Sequence, residues 1–195
     1  LNPPLKFTPH QKMRVEDIDV DDVDFIKTLK KYLVESQPYA GFSPESSEMH
    51  LKKCVKDFVN SDLIDCDVKS CFVDGSGNRL FFLFCKKNES KNKLEIIFPF
   101  PNLDFLDINS FTIWPFSFCH LMLHQLNENG LDEAFGNIER RNKKSNYEKA
   151  LIRFGHKMFE IQENKNGRFK KVVIKKENLI KAHKKLSRLY KKHET

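Results

Sequence analysis

Residues 68–100 contain three short runs, VKSCFV, RLFFLFC and KLEIIFPF, separated by DGSGN and KKNESKN. Runs rich in β-branched and aromatic residues and bounded by turn formers read as strands. The first separator, Asp74-Gly75-Ser76-Gly77-Asn78, is a hairpin signal, because glycine takes a positive φ without steric cost. The pattern predicts an antiparallel meander of three strands at 67–74, 79–86 and 93–99, with Pro101 ending the third.

On either side the period changes to that of a helix. Phe25, Ile26, Leu29, Tyr32 and Leu33 recur at three- and four-residue spacing within 21–36, and Asp21, Asp22 and Asp24 stand at the end that the helix dipole favours for acids. Ser43-Pro44 opens a second helix, serine as cap and proline at the first helical position, with Leu51, Cys54, Val55, Phe58 and Val59 as its apolar face. The stretch IWPFSFCHLMLHQL, 113–126, is apolar nearly all round and predicts a buried helix, with Pro115 in its first turn and Gly130 as its C-cap. LDEAFGNIE, 131–139, reads as a short helical turn. In SNYEKALIRFGHKMFEI, 145–161, Tyr147, Leu151, Phe154, Met158 and Ile161 form one helical stripe behind a Ser145–Glu148 capping box, and Lys149, Arg153, His156 and Lys157 share the opposite sector. ENKNG turns the chain into a strand, RFKKVVI. A last helix at 177–193 sets Leu179, Ala182, Leu186, Leu189 and Tyr190 against Lys181, Lys184, Lys185, Arg188, Lys191 and Lys192.

The expected architecture is therefore α+β: N-terminal helices and a three-stranded antiparallel meander, a buried central helix, then a basic helix–strand–helix C-terminal part. Residues 1–16, with Pro3, Pro4 and Pro9, form an extended arm. Residues 17–139 form the core, and 140–195 pack on it as one domain. No apolar run reaches the roughly 18–20 residues that cross a bilayer, and the start LNPPLKFTPHQK holds no signal-peptide-like segment. Five cysteines, Cys54, Cys66, Cys71, Cys85 and Cys119, are odd in number and match no zinc spacing, which points to reduced thiols and an intracellular setting.

Charge is unevenly distributed. Residues 140–195 carry 19 Lys and Arg against five Asp and Glu, whereas the whole chain is only +7. The front is acidic and the back basic, a polarity that suits a polyanionic partner. The leading expectation is a non-enzymatic module that binds nucleic acid, RNA ahead of DNA, through phosphate contacts from Lys149, Arg153, His156, Lys157, Arg168, Lys170, Lys171, Lys181, Lys184, Lys185 and Arg188. The acidic front would dock a protein partner in a larger assembly, and RRNKK, 140–144, matches a loose nuclear import pattern. The alternatives are an assembly domain whose lysines are merely solvated, and a metal-dependent nuclease built on Asp67, Lys69, Asp74 and Glu95.

Other constellations point less far. The acids Asp17 to Asp24 fail as a calcium loop, with Asp22 where glycine is needed and Thr28 where glutamate is needed. His120 and His124 are spaced as metal ligands on a helix but lack a third ligand. No P-loop, GxSxG or CxxC occurs, so neither cofactor nor metal is expected.

Overall fold

The computed structural model describes residues 13–36, 42–105, 110–139, 158–162, 167 and 169–192. The strands are β1 (Arg14–Asp17), β2 (Val68–Val73), β3 (Arg79–Asn88), β4 (Lys93–Pro101), β5 (Glu133–Glu139), β6 (Phe159–Gln162) and β7 (Phe169–Lys175). The helices are α1 (Val23–Ser36), α2 (Glu48–Phe58), α3 (Ser110–Glu128) and α4 (Lys176–Lys192). The strands make one seven-stranded sheet in the order β1-β2-β3-β4-β5-β7-β6. Every pairing is antiparallel except β4 with β5, which is parallel.

The expected architecture is corrected on this point. The meander strands are β2, β3 and β4, but the sheet does not stop there, and the C-terminal third does not form a separate helix–strand–helix layer. LDEAFGNIE, read as a helical turn, is β5, which pairs with β7 along its whole length. Long-range pairing decides its state, as it often does for a short segment with weak local preference. Phe159, Glu160 and Ile161, assigned to the end of the 145–161 helix, belong to the edge strand β6, paired with β7, and Met158 is in the turn before it; residues 145–157 lie outside the described residues. The end of the expected N-terminal arm is β1, paired with β2 from Arg14↔Val73 to Asp17↔Ser70. α2 starts later than Ser43-Pro44 suggests, at Glu48, because Ser47 caps it by accepting the His50 N–H at 3.2 Å. α3 starts earlier, so Pro115 falls inside it and removes one helical hydrogen bond rather than none.

The alternation of the strands divides the apolar residues between two faces. Cys71, Val73, Phe82, Phe84, Phe98 and Phe100 turn to α1 and α2. There Phe25 of α1, fully buried, meets Phe82 and Phe84 at 5.6 Å between ring centroids, and Phe82 stacks on Phe100 at 4.7 Å. Val68, Phe72, Phe81, Leu83, Leu94, Ala134, Val172 and Ile174 turn to α3 and α4. Because α3 is apolar all round, it buries one side on the sheet and the other on α4, as its sequence requires. Among the described residues no helix is long and apolar enough to cross a membrane.

α3 and α4 are joined by a pair of histidines. His120 Nδ1 and His183 Nε2 lie 3.0 Å apart, with the Phe72 and Phe116 rings 5.3 and 5.2 Å from one or the other imidazole. One ring must donate N–H and the other accept, so at least the accepting imidazole is neutral, and the contact is lost once both rings are protonated. Burial, then the nearby His183 and His124, hold His120 down to about 4, and burial also lowers His183. An unfolded imidazole takes up its proton near pH 6.5, before the folded one does. The stability from this pair is therefore complete above about pH 6.5 and falls as the pH drops towards about 4. Urea midpoints should decline over that window, and His120→Leu should flatten the decline while keeping the apolar contact.

Candidate active site

The sequence KLEIIFPFP forms β4 and fixes what its two edges can do. The β3–β4 register passes from Phe84↔Phe98 to Cys85↔Ile96, so Ile97 is the extra residue of a β-bulge. Beyond the bulge, the Asn102 N–H donates to the Leu80 carbonyl of β3 at 2.9 Å. By alternation Phe98 and Phe100 also turn their backbone groups to β3, and Pro99 and Pro101 turn theirs the other way, towards β5. Proline carries no N–H, so this edge presents carbonyl oxygens and no donor.

β5 cannot continue a ladder along such an edge. It pairs with β4 at Leu94↔Ala134 and Glu95↔Phe135 and at no later residue. Both strands run on, β4 to Pro101 and β5 to Glu139, so a wedge opens between them towards their C-terminal ends. At its apex stands Gly136, where a Cβ would lie 3.5 Å from the Ile96 Cβ; the small residue keeps the closing point of the wedge free of side chain.

Several residues border the apex. The Lys93–Glu133 ion pair ties the starts of the two strands together. Glu95 and Phe135, being register partners in a parallel pair, share one face of the sheet. Over the Phe135 ring sit the Lys91 and Lys171 ammonium groups, 5.1 and 5.3 Å from its centroid. Tyr32 of α1 covers β4 farther along, 5.9 Å from Phe98 and 5.1 Å from Phe100. α3 connects two parallel strands and so runs back along the sheet. Its beginning, marked by Trp114 against Phe81 at 5.9 Å, lies at the end where the wedge opens.

The residues expected to bind nucleic acid do not all come together. Lys149, Arg153, His156, Lys157 and Arg168 lie outside the described residues. Lys170 and Lys171 are neighbours on β7 and turn to opposite faces, Lys171 to the Phe135 side. Lys181, Lys184, Lys185 and Arg188 are exposed on α4, which packs with α3 on the other side of the sheet from Phe135. Of the acids weighed for a nuclease, Asp74 closes the β2–β3 turn by accepting the Ser76 and Asn78 N–H groups, each at 2.8 Å. Glu95 is at the wedge, and Asp67 and Lys69 are at the far end of the sheet, beside Asp17 and His124.

The remaining candidates have structural roles. Asp22 accepts the Phe25 N–H at 2.7 Å and meets Arg79 at 3.3 Å, which holds its carboxyl below the usual range. Burial pushes the Cys71 and Cys119 thiols up to about 12 and Cys85 higher still, so none is a ready nucleophile. Among the described residues no three His, Cys, Asp or Glu side chains are placed to hold a metal ion.

No family model matches the chain, and no curated protein does. Solved structures do. The spermidine N-acetyltransferase of Vibrio cholerae in complex with CoA and spermine is similar at 10% identity and a TM-score of 0.52, over 86% of this chain and 98% of that one. A chimera of that enzyme with hSSAT gives 13% identity and a TM-score of 0.53 over 86% and 98%, and a point variant of it gives 9% and 0.54 over 86% and 96%. At such identities the likeness establishes the fold. It also corrects the expectation of a non-enzymatic nucleic-acid-binding module, with its scaffold and nuclease alternatives, because the solved proteins that share this sheet are acetyltransferases. The charge asymmetry behind that expectation is a property of chain order, and the fold distributes the described cations over two faces.

The edge geometry can be checked directly. With Pro99→Ala and Pro101→Ala, the two new amides should face the wedge without a partner and exchange with solvent at least about 100-fold faster than those of Phe98 and Phe100. Protection of the new amides would mean that β5 closes on β4. Hydrogen exchange followed by NMR reads the difference.

Proposed function

We propose that the chain transfers an acyl group from a pantetheine thioester, with coenzyme A as the carrier, to the nitrogen of an amine. The observation that carries this reading is the donor-free edge of β4. A pantetheine arm is slender and bears two amide N–H groups, and the edge at Pro99 and Pro101 offers carbonyl acceptors along an open wedge. The neighbours named as spermidine N-acetyltransferases, one of them in complex with CoA, support the same assignment.

The fit is better for the arm than for the nucleotide. The start of a helix such as α3 presents N–H groups that suit a diphosphate. The segment leading into it, NLDFLDIN at 102–109, has no glycine and contributes Asp104 and Asp107. Lys31 neutralises Asp104, at 2.5 Å. Coenzyme A would supply an activated thioester; the protein's own contribution is placement and proton transfer.

An amine must lose its proton before it attacks a carbonyl carbon. Glu95 is the carboxylate of β4 nearest the apex, half-buried and without an ion partner among the described residues. It is assigned here as the proton acceptor. Lys91 and Lys171, over the ring of its register partner Phe135, work against a polycationic acceptor and favour an amine whose remaining charge is negative.

Thiol release from acetyl-CoA, followed with a panel of amino acids, lysine peptides and spermidine, tests the activity. Saturable release with at least one amine is expected, and Glu95→Gln should lower kcat by about tenfold or more at neutral pH, within the usual range for a lost general base. Absence of both release and acetyl-CoA binding overturns the assignment. Gly136→Leu, which fills the apex against Ile96, should abolish acetyl-CoA binding while the chain stays folded by circular dichroism.

A further inference from the structure

The sheet face at the apex of the wedge carries more cation than its own carboxylates neutralise. Lys86 and Glu95 are register partners across β3 and β4, and Glu95 and Phe135 across β4 and β5, so the three side chains share one face. Lys171 reaches the same face from β7, as the register partner of Asn137, two residues along from Phe135. Two charge pairs there close on themselves, Lys93 with Glu133 and Lys175 with Glu160. Lys86, Lys91, Lys171 and Glu95 form no ion pair among the described residues. Three ammonium groups are thus set against one carboxylate.

Two of these cations are gathered at one point. The Lys91 and Lys171 ammonium groups stand 5.1 and 5.3 Å from the centroid of Phe135, which is only 5% exposed. A lysine stem covers an apolar ring well, and one such lysine needs no further reason. Two ammonium groups over the same ring repel each other, and no described carboxylate relieves them. An anion between them would.

The position of the pair selects the anion. The helix start suited to a donor's diphosphate lies at the open end of the wedge, whereas Phe135 is at the closed end, where the acyl group and its acceptor meet. Beside the pair, one strand spacing of about 4.8 Å away, stands the unpaired carboxylate of Glu95. The two signs side by side complement a small zwitterion, and a polycation would meet the lysines unfavourably. We propose that the acyl acceptor is a free amino acid, its carboxylate held by Lys91 and Lys171 over Phe135 and its amine presented to Glu95. The proposal rests on the acyltransfer reading and adds to it which amine is taken.

Binding is read first, on the whole chain without any acyl donor. The common amino acids and their carboxamides are titrated, with proton–carbon NMR of the lysine ε-methylenes as the readout. At least one free acid should shift the Lys91 and Lys171 signals saturably, with affinity at least about tenfold above that of its carboxamide. Lys91→Met with Lys171→Met keeps a cover over the ring and removes both charges; it should erase that advantage, and arginine at both positions should keep it. In turnover with acetyl-CoA the same acid should be preferred through KM. The carboxamide's amine is the less basic of the two, so this preference runs against intrinsic reactivity. The double methionine variant should raise that KM at least about tenfold and change acetyl-CoA affinity less than about threefold. No saturable shift with any free acid, or equal affinity for acid and carboxamide, overturns the proposal. So does loss of acetyl-CoA affinity in the double variant, which would assign the lysines to the donor. Thiol release with spermidine or carboxamides alone sinks the amino-acid site and leaves acyltransfer standing. Acid binding with neither thiol release nor acetyl-CoA binding keeps the site and removes the acyltransfer assignment.

Discussion

The absence of two hydrogen-bond donors organises this molecule. Pro99 and Pro101 sit at alternate positions of β4, so both imide nitrogens fall on the same edge, and the bulge at Ile97 sets which edge that is. One side of β4 remains fully paired with β3, while the other can accept but not donate. The parallel neighbour β5 then has nothing to pair with after Phe135, and a sheet that would otherwise be continuous opens in the middle. An opening of this kind normally exposes unpaired backbone, which is costly. Here half of the orphaned groups have been removed chemically, and the rest are carbonyls that water or a ligand's N–H can satisfy.

Such an opening is tolerable only if the two halves of the sheet are held by something other than the β4–β5 ladder. On one face the phenylalanine cluster of Phe25, Phe82, Phe84, Phe98 and Phe100 makes α1 and the β2–β4 half a rigid unit. On the other face α3 lies against the β2–β3 half while its partner α4 carries on to β7. The α3–α4 contact therefore spans the wedge, and the His120–His183 hydrogen bond is part of it. The same helix pair that seals the core keeps the wedge at its width, which makes that contact relevant to the site although no histidine approaches it.

The helices α1, α2, α3 and α4 and the strands β2, β3, β4 and β7 were legible because each has enough length for its period to show. β5 was not. Its alternation of Ala134 and Gly136 with Glu133 and Phe135 sets two small residues against a charged one and an aromatic, which leaves no contrast between faces. Only its partners β4 and β7 make it a strand. β1 and β6 are edge strands of four residues each and carry too little pattern to read locally. The wedge is half legible: prolines two apart in a strand-like run imply an edge without donors, but from the sequence alone Pro101 marks only the end of a strand. The parallel partner that gives that edge its meaning lies beyond a crossover helix.

The basic C-terminal third shows how far charge in sequence order is from charge in space. A strand sends consecutive lysines to opposite faces, so Lys170 and Lys171 part company at once. A helix packed on a second helix turns its lysines outward, away from the sheet, so those of α4 look into solvent on the side that does not hold Phe135. From that segment Lys171 stands over the Phe135 ring at the apex, together with Lys91 from the acidic front. The charged groups around the apex, Lys91, Lys93, Glu95, Glu133 and Lys171 among them, are drawn from both halves of the chain. A net charge counted over either half says little about the field there.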